Sequence, residues 1–319
     1  AHWGREIKDV YPEMVTCVFS GTAMLNRVVG RKGLRTGLIV SKGFEDFHRM
    51  GRAIQCYLGY AFEDRLHLNT HRFDEPLVHI HDTRGVTERI DAKGQVVIPI
   101  RLHEAREAAR ELIEQGVSAI AISLISSYLN GSHERAVRDV VLEVAKEMGS
   151  DIPVFASVDY YPVRKESHRT NTTILEAYAA EPSRKILGQL SERMKAEGAT
   201  FDLRVMATHG GTIGWKAKEL ARSLVSGPIG GVIGAKYLGE QLGYENIACS
   251  DIGGTSFDMA LITQGDYSIH KDSDMARLVL SLPMVAMDSI GAGAGSFVRI
   301  DPYSMSLKLG PDSAGYRVG

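Results

Sequence analysis

Apolar positions along the chain fall into two patterns: short unbroken runs, and longer stretches where they recur three and four apart. Thr36-Gly37-Leu38-Ile39-Val40 is a run of the first kind and reads as a short buried strand, with a helix starting between Phe44 and Gly51 behind a Lys42-Gly43 turn. Residues 65–100 mix β and turn signals and end in the strand-like 95–99. Over 102–115, Ala, Leu and Ile recur at helical spacing, and Gly116 follows where a helix would stop. Residues 117–125 then read as a buried strand, 132–148 as a second amphipathic helix and 153–158 as the next strand. This β-α-β-α-β order with apolar strands predicts an α/β sheet covered by helices.

The second half opens with a long helical pattern over 170–197, and Pro182 inside it predicts a kink or break near Ala180. A strand over 203–207 runs into Thr208-His209-Gly210-Gly211-Thr212, and a glycine-led helix spans 229–242. Residues 246–250 and 257–263 are two strands joined by 251–256, and 297–300 is another. A boundary near residue 160 divides the chain into a 1–160 α/β region and a 161–319 region.

A length of 319 residues holds one large domain or two ordinary ones. With 44% apolar and 24% charged residues, the chain has enough apolar surface to exclude disorder. Lys plus Arg (37) and Asp plus Glu (39) nearly balance, so no nucleic-acid or acidic-lipid partner is expected. The longest apolar run, 116–125, is about half of the roughly 20 residues a bilayer-spanning helix needs. No charged-apolar-small leader opens the chain, so the expectation is a soluble, cytoplasmic protein. Cys17, Cys56 and Cys249 are odd in number and far apart, forming neither a disulfide framework nor a metal knuckle.

The 33 glycines cluster in the C-terminal half, where they need a reason such as a turn or a close approach to a ligand. Asp251-Ile252-Gly253-Gly254-Thr255-Ser256-Phe257-Asp258 reads as strand, glycine turn with hydroxyls, strand. Its tip can surround phosphate oxygens with N–H groups, and Asp251 can hold Mg²⁺, which takes one or two carboxylates beside phosphate. An ordinary Gly-Gly hairpin is the alternative, against which the two acids and two hydroxyls weigh. In Ser226-Gly227-Pro228-Ile229-Gly230-Gly231-Val232-Ile233-Gly234, Pro228 suits a helix start, and helix N-termini attract anions. Gly227, Gly230 and Gly231 either admit a ligand or allow tight packing; for Gly234 packing is the preferred reading. His209-Gly210-Gly211 ends a strand, the usual place for a site in an α/β sheet, with His209 a general base, a phosphate ligand or a structural residue. Gly291-Ala292-Gly293-Ala294-Gly295 either cradles a ribose or phosphate or is a flexible turn.

Weaker candidates are His79 and His81, which would share one face of a strand, and the charge run Arg164–Arg169, which reads as solvated or as bringing Arg169 to an anion. No Gly-x-Ser-x-Gly elbow, Walker phosphate loop or His-Glu-x-x-His occurs, and no Gly-x-Gly-x-x-Gly follows a first strand, which disfavours a dinucleotide dehydrogenase.

The 251–258 motif resembles the second phosphate hairpin of the actin/Hsp70/sugar-kinase superfamily. The ordered set Gly21-Thr22, Arg31-Lys32-Gly33, Thr36-Gly37-Leu38-Ile39, Arg169-Thr170-Asn171, His209-Gly210-Gly211, Ser226-Gly227-Pro228, 251–258 and Gly310-Pro311-Asp312 more closely resembles the hydantoinase/oxoprolinase family through nearly the whole chain. Segments 19–29, 46–52, 66–72, 160–165 and 310–316 are most similar to that family's acetone-carboxylating β-subunit branch. The resemblance implies a hydantoinase A-like α/β fold with an actin-type (RNase H-like) ATPase lobe. It further implies ATP and Mg²⁺ as cofactors, with ATP taken to AMP and two phosphates while acetone and bicarbonate become acetoacetate. Implied partners are an α subunit carrying manganese and a γ subunit, in an (αβγ)₂ assembly. On this reading Asp251, Asp258 and His209 are catalytic, and Asp251 is the metal-side carboxylate. Gly253, Gly254, Thr255, Ser256, Gly210, Gly211, Gly227, Gly230, Gly231, Gly291 and Gly293 then contact the nucleotide.

The family's first hairpin, Asp-x-Gly-Gly-Thr-x-Thr-Asp, does not precede Gly21, and the family extends well beyond residue 319; the expectation is an internal piece of a larger subunit. Two rivals stand beside it: an ATP-dependent cyclic amidohydrolase, which would yield ADP, and a non-catalytic ATP-gated module.

Overall fold

The computed structural model describes residues 4–314 apart from 22, 61, 255, 291, 301–304 and 306. A four-stranded parallel sheet organises the first half, in the order Thr83–Val86, Thr36–Ser41, Ala119–Ser123, Val154–Ala156. Its two central strands are buried at every position, as their unbroken apolar runs require. Alternate residues point to opposite faces. Ile39, Ile120 and Ile122 pack with Ala105, Ala109, Leu112, Val137, Val141 and Val144 of the helices Leu102–Glu114 and Ser132–Glu147. Leu38, Val40, Ala119 and Ala121 instead join the core around the long helix Glu166–Ala196. The sheet is thus covered on both faces.

The long helix runs unbroken through Pro182, contrary to the break expected at Ala180. A proline has no N–H for the carbonyl four residues back, here that of Tyr178. Leu34 supplies the missing donor: its N–H reaches the Tyr178 carbonyl at 2.9 Å. The carbonyl freed by Pro182 therefore docks the loop that leads into the Thr36–Ser41 strand. Gly33 lies so close that a Cβ there would overlap the Tyr178 ring. Gly33→Ala should lower unfolding stability by roughly 2–3 kcal/mol, the scale of overpacking a close-packed site. A urea titration checks it, and an unchanged midpoint would remove this account of the docking.

The 164–169 charge run is solvated only at its start, where Arg164 and Lys165 are exposed. Arg169 is fully buried, donating to the Ser157 hydroxyl at 3.0 Å and to the carbonyls of Val163 (2.8 Å) and Leu124 (2.7 Å), and pairing with Glu166. Its charge is consumed inside the fold and does not reach an outside anion.

In the second half Leu203–Met206 runs parallel to Cys17–Phe19 and antiparallel to Thr212–Gly214. The helix Gly227–Leu242 follows and ends at Gly243 (φ +76°), the left-handed stop glycine supplies most easily. After it come the hairpin strands Ile247–Ile252 and Phe257–Thr263, and Met287–Ile290 pairs with the second of them. Val205, Ile229, Val232, Ala260 and Ile262 carry the same core through these elements. Among the described residues no helix is long and apolar enough to cross a membrane.

Candidate functional site

The hairpin register sets Asp251 directly opposite Asp258, and Ile252 opposite Phe257. Directly opposed residues share a face with Cβ atoms about 4.5–5.5 Å apart, and like charges so placed repel. Such a pair is unfavourable for the bare fold and favourable around a cation. The Ser256 hydroxyl donates to Asp258 Oδ2 at 3.1 Å and orients it. At the tip, the Gly253 N–H donates to the Ser256 carbonyl at 2.9 Å, so this donor closes the turn and does not face a ligand. The carbonyls of Gly253 and Gly254 accept from the N–H groups of Ala294 and Gly295, each at 2.9 Å. The Gly293 carbonyl accepts from Ser296 at 3.0 Å. Two glycine segments about forty residues apart are thereby bound backbone to backbone. Thr255 and Gly291 lie outside the described residues.

Between this hairpin and the Gly227–Leu242 helix is a cleft of about 270 Å³, lined by Asp251, Asp258, Pro228, Gly231 and Met287 among others. A Cβ on Gly227, Gly231 or Gly234 would meet nothing within 4 Å. Gly231 thus leaves open space inside the cleft, and Gly234 is not the packing glycine the sequence suggests. Gly230 faces the other way, its would-be Cβ 3.5 Å from Ser20 Oγ and 3.8 Å from Met206 Cε, so it abuts the sheet and not the cleft. Real close packing falls on Gly239, whose Cβ would overlap Ile247 and come 3.0 Å from the Tyr244 carbonyl.

Ser226, 1% exposed, anchors the start of this helix. Its hydroxyl accepts from the Gly21 N–H at 2.9 Å and donates to the Gly21 carbonyl at 2.7 Å, while Ser20 Oγ donates to the Ser226 carbonyl at 2.7 Å. Engaged there, Ser226 makes no side-chain cap to its own helix. The first N–H groups of the helix, beside the cleft, lack the side-chain acceptor that an N-cap usually provides.

His209 sits elsewhere. Its turn is closed by bonds from the Ala207 N–H to the Gly211 carbonyl (2.8 Å) and from the Gly210 N–H to the Ala207 carbonyl (3.0 Å). Gly210 has φ +91°, and any side chain there would run into the Tyr267 hydroxyl. His209 is half-buried and its Nδ1 has no hydrogen-bond partner. Burial first, then the Arg222 charge, hold its pKa below the usual 6.5. A neutral imidazole suits a base or a hydrogen-bond partner, not a cationic phosphate ligand. His209, Gly210 and Gly211 do not line the aspartate cleft.

Among the described residues no three His, Cys, Asp or Glu side chains are grouped to hold a metal. His79 and His81 do not share a strand face; they fall at a 3₁₀ turn, Ile80–Asp82, where Asp82 pairs with Arg35 at 2.7 Å. The paired aspartates fit Mg²⁺, which takes only one or two carboxylates and fills its shell with water and phosphate oxygens.

Residues 2–145 match the hydantoinase/oxoprolinase N-terminal region, and residues 169–319 match hydantoinase/oxoprolinase. The chain is 69% identical over 319 residues to the acetone carboxylase beta subunit of Xanthobacter autotrophicus, covering 100% of this chain and 44% of that one. A solved nucleotide-free acetone carboxylase superposes with a TM-score of 0.91 at 68% identity, over 100% of this chain and 45% of that one. The ATP-dependent caprolactamase from Pseudomonas jessenii superposes with a TM-score of 0.81 at 27% identity, over 98% and 44%. The chain therefore spans a little under half the length of these relatives. With both halves matched and one fold shared with both solved structures, the chain belongs to the hydantoinase/oxoprolinase family.

Proposed function

We propose that this chain is part of the β subunit of an ATP-dependent acetone carboxylase, activating acetone and bicarbonate by phosphoryl transfer. The observation that carries the reading is the 69% identity to an acetone carboxylase beta subunit across all 319 residues, against 27% to the caprolactamase. In this proposal Asp251 and Asp258 hold Mg²⁺ in the cleft, where it would neutralise phosphate charge. Ser256 fixes the Asp258 carboxylate, Gly231 leaves room for phosphate, and the helix beginning at Gly227 adds its positive dipole end. The Gly254–Ser256 tip and the Gly293 segment contact the nucleotide. His209, outside this cleft, serves as base or hydrogen-bond partner for a substrate reaching the Gly210-Gly211 turn. Phosphoryl transfer is mainly positioning and charge neutralisation, which this set of groups can supply without a nucleophile. The partners are an α subunit holding manganese and a γ subunit in an (αβγ)₂ assembly, and the compartment is the cytoplasm.

³¹P NMR of ATP with the full-length complex tests this. AMP and orthophosphate should appear only when acetone and bicarbonate are both present. ADP as the sole product, driven by a cyclic amide, would place the protein with the amidohydrolases.

A further inference from the structure

A second chamber, of about 30 Å³, shares no lining residue with the aspartate cleft. Its walls come from His48 and Gln55, the 73–77 segment, Asn171 of the long helix and the turn at Ala276–Arg277. That volume holds two or so water molecules or one small planar molecule.

Two polar atoms on residues of its wall are buried without partners: His48 Nδ1 and Arg277 Nε. His48 is 4% exposed. Buried polar groups in native proteins are nearly always satisfied, so two orphans around one cavity point to an occupant. The other buried amides are already engaged, Asn171 Nδ2 donating to Gln55 Oε1 at 2.6 Å. His48 Nε2 lies 3.4 Å from the Val78 carbonyl, which places the ring proton on Nε2 and leaves Nδ1 a bare acceptor. Arg277 Nε, by contrast, can only donate.

Charge and backbone agree with a bound anion. Arg31, Arg49 and Arg277 line the chamber with Asp74 and Glu75; Arg277 pairs with Asp74 at 2.6 Å and Arg49 with Asp46 at 3.3 Å, while Arg31 has no ion pair among the described residues. Arg277 and Ala276 form the two-residue connection of the hairpin Ser273–Met275/Leu278–Leu280, with φ +61° and +50°. Asn-Gly is the low-energy sequence for such a turn, and Ala-Arg is not. Arg31 is also left-handed, at φ +51°. Three of the seven non-glycine residues with positive φ among those described thus line this one chamber, and strain of this kind clusters at ligand clamps.

The occupant must accept a hydrogen bond from Arg277, donate one to His48, carry negative charge and be small. Acetate and formate are ionised at neutral pH and have no proton to donate. Hydrogenphosphate has one but is tetrahedral and bulkier. Water meets the two hydrogen bonds and lacks the charge. We propose that this chamber binds a small protic oxyanion of the bicarbonate type between His48 Nδ1 and the Arg277 guanidinium. This deepens the function proposed above by giving bicarbonate a place apart from the phosphate hairpin, and it rests on that reading only for its biological use.

Calorimetric titration of bicarbonate into the full-length protein at pH 8 without nucleotide tests it, with acetate and inorganic phosphate as parallel probes. Saturable bicarbonate binding is expected, with acetate weaker by about tenfold, the scale of one hydrogen bond to a polar partner left unpaired. His48→Phe removes the acceptor. Arg277→Lys keeps a cation beside Asp74 and removes the Nε–H. Each variant should weaken binding by about tenfold or more, while Asp251→Asn leaves it unchanged. Thermal melts report whether the variants fold, and Arg277→Lys carries the test if His48→Phe does not. Absence of saturable binding, equal binding of acetate, or weakening by Asp251→Asn in place of the chamber variants would overturn the proposal and leave the chamber to water. Because no nucleotide is present, that failure is separate from a failure of the carboxylase reading.

Discussion

Asp251→Asn in the full-length subunit should lower Mg²⁺-ATP consumption by roughly 100-fold or more, the scale of removing one preorganised charge contact from a reacting centre. Stability should hold or rise. Asp251 is exposed and sits directly across the ladder from Asp258, so losing its charge removes a cross-strand repulsion and no packing. The two effects therefore go in opposite directions, which separates a lost metal ligand from a damaged fold. Asp258→Asn should behave alike, with a slightly larger structural effect because its carboxylate also accepts from Ser256. The measurement is steady-state ATP turnover beside a thermal melt of the same preparation. Turnover within twofold of the parent would sink the metal assignment, since the opposed aspartates would then be a repulsive pair without a purpose.

Much of this was legible from the chain. The 36–40, 117–125 and 257–263 strands and the 102–115, 132–148 and 229–242 helices lie where apolar periodicity puts them, within a few residues at their ends. The hairpin around Gly253-Gly254 and its flanking acids followed from local signals alone. What escaped depends on contacts between distant segments. Nothing local distinguishes Gly230 from Gly231, since which one faces the cleft is set by how the helix lies on Ser20 and Met206. The bonds between Ser226 and Gly21 span 205 residues, and the Leu34–Tyr178 bond that Pro182 makes possible links two halves of the chain. Thr212–Gly214, three residues long, is too short to show a period. Arg169 reads as surface charge because the sequence does not show which carbonyls will surround it. The family resemblance groups His209 with the hairpin's aspartates, yet His209 does not line the aspartate cleft.

Glu176 was also invisible in sequence, as one acid inside a helical repeat, and it carries a large expected pH effect on stability. It is fully buried. Its carboxylate accepts from the N–H groups of Leu220 (2.9 Å) and Ala221 (2.8 Å) and from the Tyr161 hydroxyl (2.6 Å). The two N–H donors tie the long helix to the 3₁₀ turn Leu220–Ser223 just before the glycine helix, and so help set that helix's position. Burial outweighs the donors and raises the Glu176 pKa from 4.5 to about 7. The folded state therefore holds the proton more tightly than the unfolded chain does. Its favourable contribution is complete below about pH 4.5 and is lost as pH rises through about 7, by roughly 3 kcal/mol for a carboxyl moved from 4.5 to about 7. Glu176→Gln keeps the shape and one carbonyl acceptor but removes the titration. The parent's urea midpoint should consequently fall between pH 5 and 7.5 relative to that of Glu176→Gln, and the two pH profiles should run parallel above about pH 8. Parallel profiles across the whole range would mean that Glu176 is ionised throughout, with the two N–H groups and the Tyr161 hydroxyl sufficient to hold a buried charge. Glu176→Ala answers a different question: with three buried donors left unpaired at about 1–3 kcal/mol each, it should fail to fold at 37 °C.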